Sequence, residues 1–227
     1  MAVPAEYNRE KEEKRVKLFG FWRSIATYRV RLALALKELE FEEVSVDLLE
    51  GHQHRADFLA INPAGAVPAL LVDGLVLTQS AAIIEYLEER FPTYPLLPDT
   101  PEERAFARAI AMDTIADAHP LIVPRVRGYL AATFGADDAA INAWSRKWLT
   151  HALETYDQRL SQRTATPFVF GEKPGYADIG VKSHAVACTL FGIDVGRFPH
   201  VDRLSAAMDK VPGLADLHPL KVRAGMN

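Results

Sequence analysis

Cysteine is almost missing from this chain. Cys188 is the only one in 227 residues, so no intrachain disulfide can form, and a reducing, cytoplasmic setting is the expectation. An excess of one charge is missing too. The 26 Lys and Arg are interspersed with 30 Asp and Glu, for a net charge of −4. That balance gives no footing for nucleic acid or for a polybasic membrane contact. No run of about eighteen apolar residues occurs, so no transmembrane helix is expected. The opening MAVPAEYNREKEEKR has no apolar h-region. It reads as a flexible lead-in over residues 1–15 and not as a secretory leader. Internal repeats and low-complexity tracts are absent as well.

Apolar residues are plentiful. They make up 49% of the chain, enough for a sizeable core, and the length suits one large domain or two smaller ones. VKLFGF, from Val16, is short and apolar like a buried strand. From about Tyr28 to Leu39, Leu32, Leu36 and Leu39 recur at helical spacing, with Arg29, Arg31, Lys37 and Glu38 elsewhere. This predicts an amphipathic helix. EEVSVDL alternates as a strand does, with Val44, Val46 and Leu48 on one face. Strand, helix and strand in that order predict a parallel pair joined by a right-handed crossover.

VPALLVDGLVLT carries Asp73-Gly74 between two apolar runs, which predicts a type I′ hairpin. In QSAAIIEYLEERF, Ile83, Ile84 and Leu87 form one face, and Gln79 or Ser80 is the expected N-cap. Pro92, Pro95, Pro98 and Pro101 then interrupt the chain, and no helix survives such spacing. The predicted organisation is an α/β domain over 16–91, a proline-rich linker over 92–101 and an all-helical domain over 102–227. Pro120 and Pro124 are expected to end or kink its first helix.

Three places could carry chemistry. Ser24 lies between the first strand and the first helix. It is either an ordinary cap or a hydroxyl at the ligand-binding end of an open α/β sheet, where a helix N-terminus favours anions. If the anion is a thiolate, its pKa falls from about 8.5 toward neutrality. Residue 26 is Ala and not Cys, so the thiol would come from a bound molecule. Val67-Pro68 opens a strand. It reads as a plain turn, or as a cis-proline turn that bares the Val67 backbone to an extended peptide-like ligand. Gln79 and Ser80 start a helix, where capping and reception of a ligand carboxylate are both open.

Taken together, these stretches resemble the glutathione transferases, and within them the zeta class, which includes maleylacetoacetate and maleylpyruvate isomerases. The zeta signature is Ser-Ser-Cys, a variable residue, an aromatic or His, then Arg-Val-Arg-Ile-Ala-Leu. SIATYRVRLAL, from Ser24 to Leu34, is similar to it. NPAGAVPAL and LTQSAAIIEYLEER resemble the family's glutathione-site motifs, and FGADDAAINAW, Phe134 to Trp144, resembles a stretch of bacterial maleylpyruvate isomerases.

The resemblance runs from about Val16 onward. It implies an α/β thioredoxin-like N-terminal domain of order βαβαββα and an all-α C-terminal domain. It also implies glutathione as cosubstrate or catalyst, no metal, a homodimer, and a pocket between the domains for a small electrophile. Residue by residue, Ser24 would activate the glutathione sulfur, and Val67 would pair with the cysteinyl backbone, with Pro68 cis. Gln79 and Ser80 would hold the γ-glutamyl end, and Gln53 would reach the glycyl end. His119, in DAHP, matches a position that contacts glutathione, and is otherwise a surface or interface histidine.

Departures from the family pattern bear on the substrate. Ile25 and Ala26 replace the second Ser and the Cys. Ile122 and Val123 stand where isomerase relatives usually carry an Asn pair. The arginine some relatives use near the C-terminal helix gives way to Thr189 or Leu190. Gly175 replaces the Ser/Thr of a capping box to Asp178, at an expected local cost of roughly a few tenths of a kcal/mol. Arg23 remains as a cationic contact for a substrate carboxylate, and Ile122 and Val123 offer an apolar wall. The specific activity implied is thiolate-mediated cis–trans isomerisation of maleylacetoacetate or maleylpyruvate. A conjugating or dehalogenating transferase with an altered acceptor site is the alternative. A non-catalytic interaction module on the same fold is the alternative of another class.

Overall fold

A computed structural model describes residues 16–224. The lead-in expected over 1–15 lies outside the described residues. The chain divides into two compact units, one of residues 16–95 with 216–224 and one of residues 96–215.

The first unit holds strands β1 (Val16–Gly20), β2 (Phe41–Ser45), β3 (Ala69–Val72) and β4 (Leu75–Thr78), with helices α1 (Ile25–Leu36), α2 (Ala56–Ile61) and α3 (Ser80–Arg90). The element order is the expected βαβαββα. The sheet runs β2-β1-β3-β4. The β1–β2 pair is parallel, as its helical crossover requires, and the other two pairs are antiparallel. Asp73 and Gly74 take φ values of 50° and 72°, the left-handed pair that a two-residue hairpin needs. Phe19, Val46, Ala69 and Leu71 form a cluster on one sheet face with Phe58 and Ile61 of α2, and Val44 and Leu48 pack onto it. Leu18 and Leu70, on the other face, are fully buried. Both faces are therefore covered.

Helix α1 departs from its predicted form. It starts at Ile25 because Ser24 caps it, and it ends at Leu36 in a Schellman turn. There Glu38 has φ 53°, and the amides of Glu38 and Leu39 bond the carbonyls of Ala35 and Leu34. It is not amphipathic. Every residue from Ile25 to Leu34 is buried, Arg29 and Arg31 included, and so is Lys37. The basic residues sit inside because each has partners there. The Lys37 ammonium, for example, binds Glu88 at 2.8 Å and the carbonyls of Phe91 and Tyr94 at 2.7 and 2.9 Å.

Those last two bonds also correct the domain boundary. They hold residues 91–94 in the first unit, so the proline-rich stretch is not a free linker. The second unit begins at Leu96, which is buried and accepts the Tyr176 amide at 2.7 Å. The C-terminus is corrected as well. Residues 216–224 belong to the first unit, where His218 meets the Tyr28 ring edge-on and Arg223 lies 4.8 Å from the Trp22 ring centre.

The second unit is helical: α4 (Pro101–Met112), a π-helical stretch (Asp113–Ala118), α5 (His119–Ile122), α6 (Pro124–Phe134), α7 (Asp138–Ser161), α8 (Tyr176–Leu190) and α9 (Pro199–Asp209). Pro120 and Pro124 act as expected. Pro120 has no N–H and its ring crowds the carbonyl four residues back, and the backbone widens to π geometry just before it. Pro124 opens α6 at its first position.

Asp178 anchors the start of α8. Its carboxyl oxygens accept the Val169 amide at 2.9 Å and the Gly175 amide at 2.8 Å. Gly175 is more than a lost hydroxyl, because a Cβ there would lie 2.5 Å from the Leu96 carbonyl oxygen. The glycine permits the approach that the Tyr176 amide completes. Burial pushes the Asp178 carboxyl up to about 7, against the pull of three backbone amides, those of Val169, Gly175 and Asp178 itself, and of Arg203. A folded pKa above the unfolded 3.8 means that the folded state keeps a proton the unfolded chain has released. This contribution to stability is fully present below the unfolded pKa and is lost as pH rises through about 7. Between pH 4 and 7 the wild type should therefore lose about 2–4 kcal/mol relative to Asp178→Asn. Parallel urea-unfolding curves for the two proteins would refute a raised pKa.

Candidate active site

Strand register gathers the candidate residues of the first unit at one end of the sheet. Gly20 pairs with Ser45, Ala69 lies across from Phe19, and Thr78 lies across from Ala69. The ends of β1, β2 and β4 therefore meet the start of β3. Ser24, Val67-Pro68 and Gln79-Ser80 each stand within four residues of that edge in sequence, and Gln53 follows β2 by a short loop.

Ser24 is the N-cap of α1, and its Oγ accepts the Thr27 amide at 3.2 Å. A hydroxyl has one proton and two lone pairs. Capping uses a lone pair, and no acceptor for the proton is found among the described residues. Cap and donor are thus compatible roles. No acidic residue occupies the first turn of α1, so its positive end is not neutralised. The loop before Ser24 is clamped by Arg31, whose guanidinium donates to Glu43 at 2.5 and 2.8 Å and to the carbonyls of Trp22 and Phe21 at 3.3 and 3.4 Å. Gly20 makes room for this clamp, since a Cβ would sit 2.8 Å from Glu43 Oε1 and 2.5 Å from the Thr27 methyl. Arg23 is exposed in the loop.

Val67-Pro68 is a cis peptide. Asn62 shapes the approach, with its amide donating to the Ala66 carbonyl at 2.6 Å and its oxygen accepting from Ala64 at 3.1 Å. Neither the N–H nor the C=O of Val67 has a backbone partner among the described residues. Gln53 lies in a 3₁₀ turn, His52–His54, and its Oε1 is buried without a partner. A buried unpaired polar atom is uncommon.

Gln79 is the N-cap residue of α3, but its side chain caps nothing and its backbone has φ 68° and ψ 114°. That conformation is sparsely populated for a residue with a side chain. Ser80 follows, almost fully buried, and accepts from Arg29 Nε at 3.1 Å. No acidic residue occupies the first turn of α3 either.

His119, Ile122 and Val123 lie in the second unit. His119 opens α5 and is half-buried, Ile122 is buried, and Val123 ends the helix in an extended conformation before Pro124. The Trp144 indole secures α5 through the Leu121 carbonyl at 2.8 Å. Thr189 bonds the Ala185 carbonyl of its own helix. Cys188 is buried, which pushes its thiol up and suits it poorly as a nucleophile. Among the described residues no cluster of His, Cys, Asp or Glu could hold a metal, and no helix is long and apolar enough to cross a membrane.

Sequence reasoning missed Arg29, Arg31 and Asn62. The two arginines stand in the quoted motif but were assigned away from the core. Asn62 carried only a weak Asn-Pro turn signal. The strained Gln79 backbone gives a test. Gln79→Gly should raise stability by about 0.5–1 kcal/mol, since glycine tolerates positive φ, as read by the urea midpoint. A lower midpoint would mean that the conformation is not strained.

The model of the glutathione S-transferase N-terminal domain matches residues 14–89. The maleylpyruvate isomerase of Ralstonia sp is 38% identical over 193 residues, covering 85% of this chain and 91% of that protein. Among solved structures, the maleylacetoacetate isomerase of Methylobacterium extorquens AM1 with bound malonate and GSH is 44% identical. Its TM-score is 0.87, with 90% of this chain and 97% of that one covered. A holo maleylpyruvate isomerase described as a bacterial glutathione S-transferase of the zeta class is 36% identical, also with a TM-score of 0.87, with 90% of this chain and 97% of that one covered. With near-complete coverage by such relatives, the chain belongs to the glutathione S-transferase family, in its zeta class.

Proposed function

We propose that the protein is a glutathione-dependent cis–trans isomerase of maleylacetoacetate or maleylpyruvate. The observation that carries this reading is the set of unspent polar groups around one sheet edge, in a chain whose isomerase relatives match it nearly end to end. These groups are the Ser24 proton, the Val67 backbone, the Gln53 oxygen and the N-terminus of α3. They fit an extended, anionic, thiol-bearing peptide such as glutathione. When bound, glutathione supplies a thiolate that adds to the conjugated cis double bond, permits rotation about the resulting single bond, and is released unchanged.

The chain's part is to bind, orient and tune the sulfur. The Ser24 hydroxyl donates a hydrogen bond to the sulfur and keeps its proton, and the positive end of α1 adds to the same effect, so the ionised form is favoured. Val67 pairs with the cysteinyl backbone, and Pro68 fixes the turn that presents it. Gln79 and Ser80 receive the γ-glutamyl carboxylate, Gln53 the glycyl end, and His119 is a further glutathione contact. Arg23 receives a substrate carboxylate, and Ile122 and Val123 contribute apolar surface. The same reading carries a homodimer in the cytoplasm.

A conjugating or dehalogenating role is favoured by one observation. Thr189 spends its hydroxyl within its own helix, and neither it nor Leu190 supplies the cation that a second carboxylate would want. One preparation assayed both ways decides. The isomerase reading expects kcat/KM on the order of 10⁵–10⁶ M⁻¹s⁻¹ with no net loss of glutathione. Halide release that consumes glutathione, without isomerisation, would support the second reading instead.

Ser24→Ala should lose about 1 kcal/mol of stability as a cap. It should also lose roughly 10² or more in turnover, while glutathione affinity stays within several-fold. Ultraviolet titration of the bound thiol should move to higher pH. Wild-type turnover and an unmoved thiol titration in the mutant would reduce Ser24 to a cap.

A further inference from the structure

Arg29 and Ser80 are 51 residues apart, and both are almost fully buried, at 1% and 4% exposure. Arg29 Nε donates to Ser80 Oγ at 3.1 Å. A guanidinium can only donate, so the Ser80 oxygen must accept, and the single hydroxyl proton is directed away from Arg29. No acceptor for that proton is found among the described residues. A hydroxyl that accepts from a cation also becomes a stronger donor. The buried positive charge therefore reinforces the N-terminus of α3, whose first residue is Ser80.

We propose that Arg29 is a positioning residue for ligand recognition: it orients and polarises the Ser80 hydroxyl so that this hydroxyl donates to a carboxylate at the start of α3. The inference rests on the reading above, in which that carboxylate is the α-carboxylate of the γ-glutamyl group of glutathione. Arg29 itself does not touch the ligand. Because Ser24 caps the same helix five residues earlier, α1 would then serve the thiol end of the ligand with its cap and the γ-glutamyl end with its buried arginine.

The test is calorimetric binding to wild type, Arg29→Lys, Ser80→Ala and the double variant. Two ligands are compared: glutathione, and 4-aminobutanoyl-cysteinyl-glycine, which lacks only the γ-glutamyl α-carboxylate. Lysine keeps the buried cation but cannot donate along the Nε direction. Arg29→Lys is expected to weaken glutathione about tenfold, as loss of support for a charged hydrogen bond should. The double variant should bind no more weakly than Ser80→Ala alone, because the two positions act as one unit. The truncated ligand should bind all four proteins alike.

Additive losses, an equal loss for both ligands, or unchanged glutathione affinity in Arg29→Lys would overturn the inference and leave the functional reading standing. Failure of the wild type to bind glutathione would overturn that reading, and the inference with it. Should Arg29→Lys not fold, the wild type still decides: the ¹⁵N resonance of the buried Arg29 Nε–H must shift when glutathione is added and stay still with the truncated ligand, and any other result overturns the inference.

Discussion

Two guanidinium groups buried in a single helix constrain most of the first unit. Removing such a charge from water costs several kcal/mol unless partners meet it inside. Arg31 finds Glu43 on β2 and two carbonyls of the loop after β1, and Arg29 finds Ser80 at the start of α3. Once α1 is in the core, these partners have little freedom. The loop that carries Ser24 is drawn toward the helix it precedes, β2 must bring Glu43 alongside, and α3 must begin where a hydroxyl can reach Arg29. Gly20 belongs to the same constraint, since any side chain there would occupy the space that Glu43 and Thr27 fill. For the Arg31–Glu43 ion pair, loss of one partner is expected to cost about 3–5 kcal/mol, as for buried pairs generally.

The gathering of Ser24, Val67 and Gln79-Ser80 at one end of the sheet follows from that arrangement and from strand register. Polar groups inside a folded chain are normally spent on one another. At this edge several are not. Ser24 uses a lone pair for its cap and keeps its proton. Val67 leaves its peptide groups outside the ladder. Gln53 keeps an oxygen dry and unpaired, and Gln79 holds a backbone conformation that its side chain disfavours. The buried Gln53 oxygen would cost stability if nothing met it there. All four features lie at the same end of one sheet.

The second unit has a comparable buried knot around Asp178, where a carboxyl ties the segment before α8 to the helix itself through Val169 and Gly175. Close approach of the Leu96 carbonyl, possible only beside a glycine, adds the bond to Tyr176. A missing capping hydroxyl in the sequence therefore had a steric meaning that its chemistry alone did not carry. Lys182 is treated similarly: its ammonium reaches Asp209 at 2.6 Å and Ser205 at 3.0 Å, which fastens α8 to α9.

What the sequence determined by itself is the part set by near neighbours. Alternation in EEVSVDL, the left-handed Asp73-Gly74 turn, the prolines at 120 and 124, the Ser24 cap and the run of helices after residue 100 all arise from contacts a few residues apart. Local pattern therefore carries them, and the Arg-Val-Arg and Val67-Pro68 stretches carried the family. Tertiary structure decided the rest. Leucine periodicity in α1 could not reveal that Arg29, Arg31 and Lys37 are interior, because their partners lie at positions 80, 43 and 88. It could not return residues 216–224 to the first unit, nor leave the Gln53 oxygen unpaired. Those outcomes depend on which distant groups meet in a low-dielectric interior, where a charge or a polar atom must be matched by whatever the fold brings beside it.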